Sequence, residues 1–171
     1  VKRAIYPGTF DPITYGHIDI LKKATQMFDE VILAVASETG KNTFFTFEER
    51  VSLCRACCAD IPGVRVEGFE GLVVEYARRL EVCDMVRGVR AVSDFEYELQ
   101  LALMNRMLDR GIETVFLVPD HYYLYLSSSM VRQIVRLGGS LDTFVPPMVD
   151  ELLRKRFKGD RDGAEKVERE D

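Results

Sequence analysis

Tyr6-Pro7-Gly8-Thr9-Phe10-Asp11-Pro12-Ile13-Thr14-Tyr15-Gly16-His17 lies between a first apolar run and a first amphipathic segment, and its residue types suit the handling of phosphate. Pro7 and Pro12 fix φ, while Gly8 and Gly16 place no side chain between backbone N–H groups and an approaching anion. Lys2 to Tyr6 has strand composition, and Ile18, Leu21, Thr25 and Phe28 recur at helical spacing, so the stretch joins a strand end to a helix start near Gly16. A helix N-terminus brings unpaired N–H donors and a partial positive charge to the same place. His17 falls on the first turn of that helix. The alternative is a plain strand-to-helix corner, with His17 bonded to backbone.

Other residues able to grip an anion recur at similar places along the chain. Lys41 stands in the Gly-containing loop Ser37 to Phe45, and Arg87-Gly88-Val89-Arg90 follows the short apolar run Cys83 to Val86. Ser127-Ser128-Ser129 opens a helix whose first turn can supply hydroxyl and N–H donors. Arg87 ends a strand, and its planar fork matches a phosphate; the alternative for Arg87 and Arg90 is an ion pair with Asp94 or Glu98.

These loops need elements to hold them. Glu30 to Ala36 (EVILAVA) is a buried parallel strand by composition, Thr46 with Glu49 forms a capping box that opens a helix through Val51, Cys54 and Cys58, and Val64 to Phe69 alternates as a strand. A short helix follows through Leu72, Val73, Tyr76, Ala77 and Leu80. Ser93 with Glu96 is a second capping box, predicting a long helix with an apolar face at Leu99, Leu103 and Met107 that Gly111 stops. Thr114 to Val118 is a fifth strand; a Tyr-rich loop, the serine-led helix and a last helix through Leu152, Leu153 and Phe157 follow. Strand and helix alternate five times, which predicts a single α/β, Rossmann-like domain: a five-stranded parallel sheet covered by helices on both faces. Ligands of such sheets sit at the carboxyl ends of the strands, so Thr9, His17, Lys41, Arg87, Arg90 and the serines should converge on one rim.

Composition bounds the rest. A chain of 171 residues with 47% hydrophobic and 30% charged residues suits one domain, placed at residues 1–157. From Lys158 to Asp171 nearly every residue is charged, glycine or small, and the stretch is expected to stay disordered. A net charge of −5 argues against a broad nucleic-acid surface and favours small anionic ligands. No apolar run approaches a membrane span, and Val1-Lys2-Arg3 leads straight into a strand, so neither membrane insertion nor a signal peptide is expected and the chain reads as cytoplasmic. Cys54, Cys57, Cys58 and Cys83 suit a reduced compartment, with no disulfide framework.

Three separated strings carry a resemblance: YPGTFDPITYGHIDI at Tyr6 to Ile20, RGVRAVSDFEYE at Arg87 to Glu98, and SSSMV at Ser127 to Val131. The T-x-G-H tail of the first resembles the signature of the nucleotidyltransferase superfamily, and the three in order resemble the bacterial phosphopantetheine adenylyltransferases, from about residue 2 to about residue 157. The resemblance implies transfer of the adenylyl group of ATP to 4′-phosphopantetheine, with Mg²⁺ and in a homohexamer. It assigns His17, Lys41 and Arg90 to catalysis. Gly8, Thr9, Phe10, His17, Gly88, Val89, Arg90, Glu98 and the run Tyr123, Leu124, Tyr125, Leu126, Ser127, Ser128, Ser129 fall to ATP, and Thr9, Lys41, Leu72, Val73 and Arg87 to phosphopantetheine. No residue is assigned as a protein ligand of a metal. Packing in the core is the alternative for Leu72 and Val73, and a surface charge for Glu98. A related transferase using another phosphate acceptor, such as nicotinamide mononucleotide or glycerol phosphate, is a second reading, and a non-catalytic nucleotide-binding module a third. The residue types bear on this choice, since His17, Lys41, Arg87 and Arg90 together exceed what binding alone requires.

Overall fold

The structure is a computed structural model and describes residues 1–40 and 42–167. Five strands, β1 (Arg3–Gly8), β2 (Glu30–Ala36), β3 (Val64–Phe69), β4 (Asp84–Gly88) and β5 (Glu113–Leu117), form one sheet in the order β3-β2-β1-β4-β5. Every pairing is parallel. The helices are α1 (Tyr15–Ala24), α2 (Phe47–Cys58), α3 (Val73–Leu80), α4 (Val92–Leu108), α5 (Ser128–Arg136) and α6 (Pro147–Val167), with one 3₁₀ turn at His121–Tyr123.

Side-chain alternation along the central strands divides the core in two. Ala4 and Tyr6 of β1 and Val31, Leu33 and Val35 of β2 face a cluster supplied by α1, α2, α5 and α6. Ile5, Ile32 and Ala34 face the opposite cluster, which α3 closes with Val74, Tyr76 and Ala77. The central strands are apolar on both faces because both are covered, as expected for a parallel sheet. The chain runs outward from β1 through β2 to β3, then returns across to β4 and β5. The order therefore reverses between β1 and β4, and a crevice opens there at the carboxyl ends of the strands.

Most of the expected elements stand where the residue pattern puts them, with three differences. The helix expected to begin with a Ser93–Glu96 capping box begins two residues earlier, at Val92, with Ala91 in place of Ser93 as its N-cap and no side-chain cap bond. Its apolar face does not enter the core: Leu99, Leu103, Met104, Met107 and Leu108 are exposed. A helix of 17 residues lies beside a strand of five, so only a narrow stripe can pack, through Phe95 against Phe116 and Asn105 against Met85. Finally, the helical backbone of α6 continues to Val167, through much of the stretch expected to lack structure. No proline beyond Pro147 interrupts it.

Leu33 is fully buried on β2 at the centre of the larger cluster. Leu33→Ala is expected to cost about 2–5 kcal/mol, read as a lower urea midpoint at fixed protein concentration with an unchanged slope.

Candidate active site

The turn after β1 is built around Phe10. This residue takes a left-handed φ of 51°, and its ring lies edge-on to Tyr6 and to His17, with centroids 5.4 and 5.0 Å away. The ring passes so close to Gly8 that a Cβ there would meet its edge at 2.8 Å, which is why the strand must end on glycine. Asp11 points inward, and its buried carboxylate accepts the N–H groups of Phe44 (2.7 Å) and Phe45 (2.9 Å). The loop preceding α2 is thereby fastened to the turn.

The T-x-G-H tail turns out to be a capping box with histidine in the place usually held by Glu or Gln. Thr14 is the N-cap of α1; its side chain accepts from the His17 N–H, and its own N–H donates to His17 Nδ1 at 3.0 Å. A ring nitrogen that accepts from a backbone N–H carries no proton, so the neutral imidazole bears its hydrogen on Nε2. Burial, with the positive charges of Arg90 and Arg87 adding to it, pushes the His17 pKa down to about 3. His17 is therefore both bonded to backbone and left with one donor facing the cleft.

That cleft has a volume of about 690 Å³ and is walled by the turn, His17, the ends of β1 and β4, α4, the loop before α2 and the start of α5. Arg87 and Arg90 both line it. Each is also ion-paired, so the alternative considered for them from the sequence is realised. Arg87 grips Glu98 with Nε and Nη2, the latter at 2.7 Å, and donates from Nη1 to the Pro7 carbonyl at 2.6 Å. Arg90 bonds Asp94 through Nε (2.8 Å) and the Leu126 carbonyl through Nη1. The reason is the start of α4, whose first two turns carry both carboxylates past the end of β4. Burial opposes the charge on Arg87, but the hydrogen bond and charge of Glu98 outweigh it and raise its pKa. Glu98 thus faces the cleft as the anchor of Arg87 rather than as a lone surface charge.

At the far wall Ser127 caps α5 by accepting from Met130 N–H, and Ser128 Oγ donates to the Pro12 carbonyl at 2.8 Å. Gly8, Thr9, Phe10, Gly88, Leu126 and all three serines line the cleft. Among the described residues no acceptor meets the backbone N–H of Thr9, Phe10, Ser128 or Ser129. Leu72, half exposed at 53%, and Val73 also line the cleft, as do the apolar side chains of Phe69, Leu101 and Ala102. Val89, Tyr123, Leu124 and Tyr125 are not among the lining residues: Val89 is buried with its N–H on the Leu117 carbonyl, and Tyr125 is 82% exposed. Lys41 lies outside the described residues.

Arg132 was not singled out by the sequence reading. It lies one turn into α5, donates to Ser129 Oγ at 3.2 Å and to the Asp11 carbonyl, and faces the Asp11 carboxylate at 3.6 Å. Its spacing of three residues from Ser129 was the available signal, since i and i+3 share a helix face. Asp11, Asp94 and Glu98 are each engaged by N–H groups or guanidinium, and among the described residues no cluster of three metal-ligating side chains is present.

A glycine turn feeding a histidine-capped helix, at the point where a parallel sheet reverses its order, defines the class as a nucleotidyltransferase. Residues 5–134 match the cytidylyltransferase-like family, and the fold is shared with the Plasmodium falciparum nicotinic acid mononucleotide adenylyltransferase complexed with NaAD, at TM-score 0.69 and 16% identity over 91% of this chain and 96% of that one. The phosphopantetheine adenylyltransferase of Moorella thermoacetica is 52% identical over 157 residues, 92% of this chain and 98% of the relative. That of Thermodesulfovibrio yellowstonii is 51% identical over 158 residues, 92% and 98%. The chain belongs to the phosphopantetheine adenylyltransferase family.

The histidine geometry has a consequence in acid. The unfolded chain binds the His17 proton below about pH 6.5, the folded chain only near pH 3, so between these values acid favours unfolding through this residue. In His17→Gln the fall in stability from pH 6 to pH 4 is expected to be shallower than in the parent, measured by urea titration at each pH.

Proposed function

We propose that the protein transfers the adenylyl group of ATP to 4′-phosphopantetheine, giving dephospho-coenzyme A and pyrophosphate, the penultimate step of coenzyme A synthesis. The observation that carries this reading is the convergence of His17 Nε2–H, Arg87 and Arg90 on one cleft that the apolar Leu72 and Val73 also line. Relatives about half identical over nearly their whole length, all phosphopantetheine adenylyltransferases, support it.

In the reaction a phosphate oxygen of the acceptor bonds the α-phosphorus of ATP while the bond to the bridging oxygen breaks and pyrophosphate leaves. The attacking phosphate is already ionised, so no general base is needed; positioning and electrostatic stabilisation carry the step. His17 donates from Nε2 to an α-phosphate oxygen as charge develops there. Arg90 and Arg132, with the N–H groups at the start of α5, hold the β- and γ-phosphates. Arg87 and Lys41 hold the acceptor phosphate, and the Leu72–Val73 wall takes the pantetheine arm.

The residues present do not fit a protein-held Mg²⁺, because Asp11, Asp94 and Glu98 are already engaged. Magnesium is proposed to arrive on the triphosphate. A homohexamer is proposed as the working assembly, supported by the resemblance and by exposed Leu103, Met104, Met107 and Leu108 along α4. A cytoplasmic location is supported by four cysteines that are all free and by the absence, among the described residues, of any helix long and apolar enough to cross a membrane.

Incubation with ATP, Mg²⁺ and, separately, 4′-phosphopantetheine, nicotinamide mononucleotide and glycerol phosphate is expected to yield only dephospho-coenzyme A by mass; faster turnover of another acceptor would displace this reading. His17→Ala is expected to lower kcat by about 10²–10³-fold while ATP affinity stays near its original value. Lys41→Ala is expected to raise KM for the acceptor more than for ATP in steady-state kinetics with each substrate varied.

A further inference from the structure

Arg50, on the first turns of α2, is only 1% exposed, yet no carboxylate forms an ion pair with it among the described residues. Its Nη1 instead donates to two backbone carbonyls, Thr9 O at 2.7 Å and Ala36 O at 2.8 Å, and its Nε meets no partner. A buried cation whose hydrogen bonds go to carbonyls and not to a carboxylate is an expensive feature. It does not line the cleft, so it touches no substrate. We infer that Arg50 is a positioning residue that sets the orientation of the Thr9–Phe10 peptide, and thereby aims the Phe10 N–H at an anionic oxygen of the nucleotide.

Planarity of the peptide group fixes where the two polar atoms point. The Thr9–Phe10 bond is trans, so the Thr9 C=O and the Phe10 N–H point in opposite directions. Arg50 draws the carbonyl into the core from behind the turn, which sends the N–H outward, to the side where Phe10 lines the cleft. No acceptor among the described residues takes that N–H. Left to itself the peptide would turn over: Phe10 stands at φ 51°, a conformation that L residues avoid, and reversing the plane returns it to negative φ. The reversed peptide would present a carbonyl oxygen to the phosphates in place of a donor. Arg50 opposes this reversal, and its grip on Ala36 ties the turn to the end of β2.

This inference deepens the proposed function and rests on its nucleotide-binding half. Affinity is read by calorimetry with ATP and Mg²⁺ alone, so a chain that fails to transfer adenylyl fails the reaction proposed above without touching this test. Arg50→Met keeps the volume and removes the donors; Arg50→Lys keeps the charge and can donate to both carbonyls. Arg50→Met is expected to weaken ATP binding by about tenfold to a hundredfold, with KM for the acceptor changed less than about twofold, and Arg50→Lys to recover most of the loss. Unchanged ATP affinity in a folded Arg50→Met chain overturns the inference, as does equal weakening of both substrates. Where the methionine variant does not fold, the parent protein labelled with ¹⁵N-phenylalanine decides: ATP is expected to shift the Phe10 amide resonance more than those of phenylalanines outside the cleft, and an unmoved Phe10 amide refutes the assignment.

Discussion

β1 runs through the middle of the sheet with β2 on one side and β4 on the other, and the site depends on this placement. Because the chain builds outward to β3 before crossing back to β4, no connection closes over the carboxyl ends of β1 and β4. Two loops with quite different sequences, the turn after Gly8 and the segment after Gly88, are brought side by side there. Arg87 secures the junction by reaching from β4 to the Pro7 carbonyl of β1. Neither loop could form an anion site alone, since one contributes donors on the backbone and a neutral imidazole, and the other contributes guanidinium groups.

Electrostatics in the cleft follow from the same juxtaposition. Ion pairing and ligand binding looked like competing roles for Arg87 and Arg90, but guanidinium has five N–H donors and the pairs use only part of them. Glu98 takes two from Arg87 and Pro7 takes one, so a donor remains on each terminal nitrogen. The carboxylates hold the forks in place before a phosphate arrives, which spares the side-chain ordering that binding would otherwise require. They also offset two arginine charges that line the same cleft. Burial, with the cationic neighbours adding to it, keeps His17 neutral, and so keeps it a single-hydrogen donor.

Much of this was legible in the residues. EVILAVA could be little else than a buried strand, and Thr46 with Glu49 marked the start of α2 to the residue because both halves of that capping box form. Thr14 with His17 is the same device, and it is hidden only by the unusual residue at its third position. The serine run opens a helix as its residue types indicate, with Ser127 as the N-cap. Where the reading missed, the reason is that the deciding partner is distant in the chain. Ser93 and Glu96 satisfy the local capping pattern, yet Arg90 is held by the Leu126 carbonyl and by Asp94, and the helix starts two residues sooner. Arg50 sits in the charged string Glu48-Glu49-Arg50, which looks like a solvated face; its burial arises from carbonyls at Thr9 and Ala36 that no local pattern shows. The exposed leucines and methionines of α4 follow a core-like spacing, and spacing alone does not tell which surface will cover them.

One feature of His17 bears on which way the chemistry runs. With Nδ1 accepting from the Thr14 N–H and burial holding its pKa down to about 3, the ring takes up no hydrogen ion near neutral pH, so it finishes a turnover in the state in which it began. The donor that met the α-phosphate of the triphosphate can meet the same phosphate once it belongs to the product. A cleft arranged in this way is indifferent to direction: synthesis and pyrophosphorolysis pass over one barrier, and net flux belongs to whatever removes pyrophosphate from the surroundings rather than to any side chain of this protein.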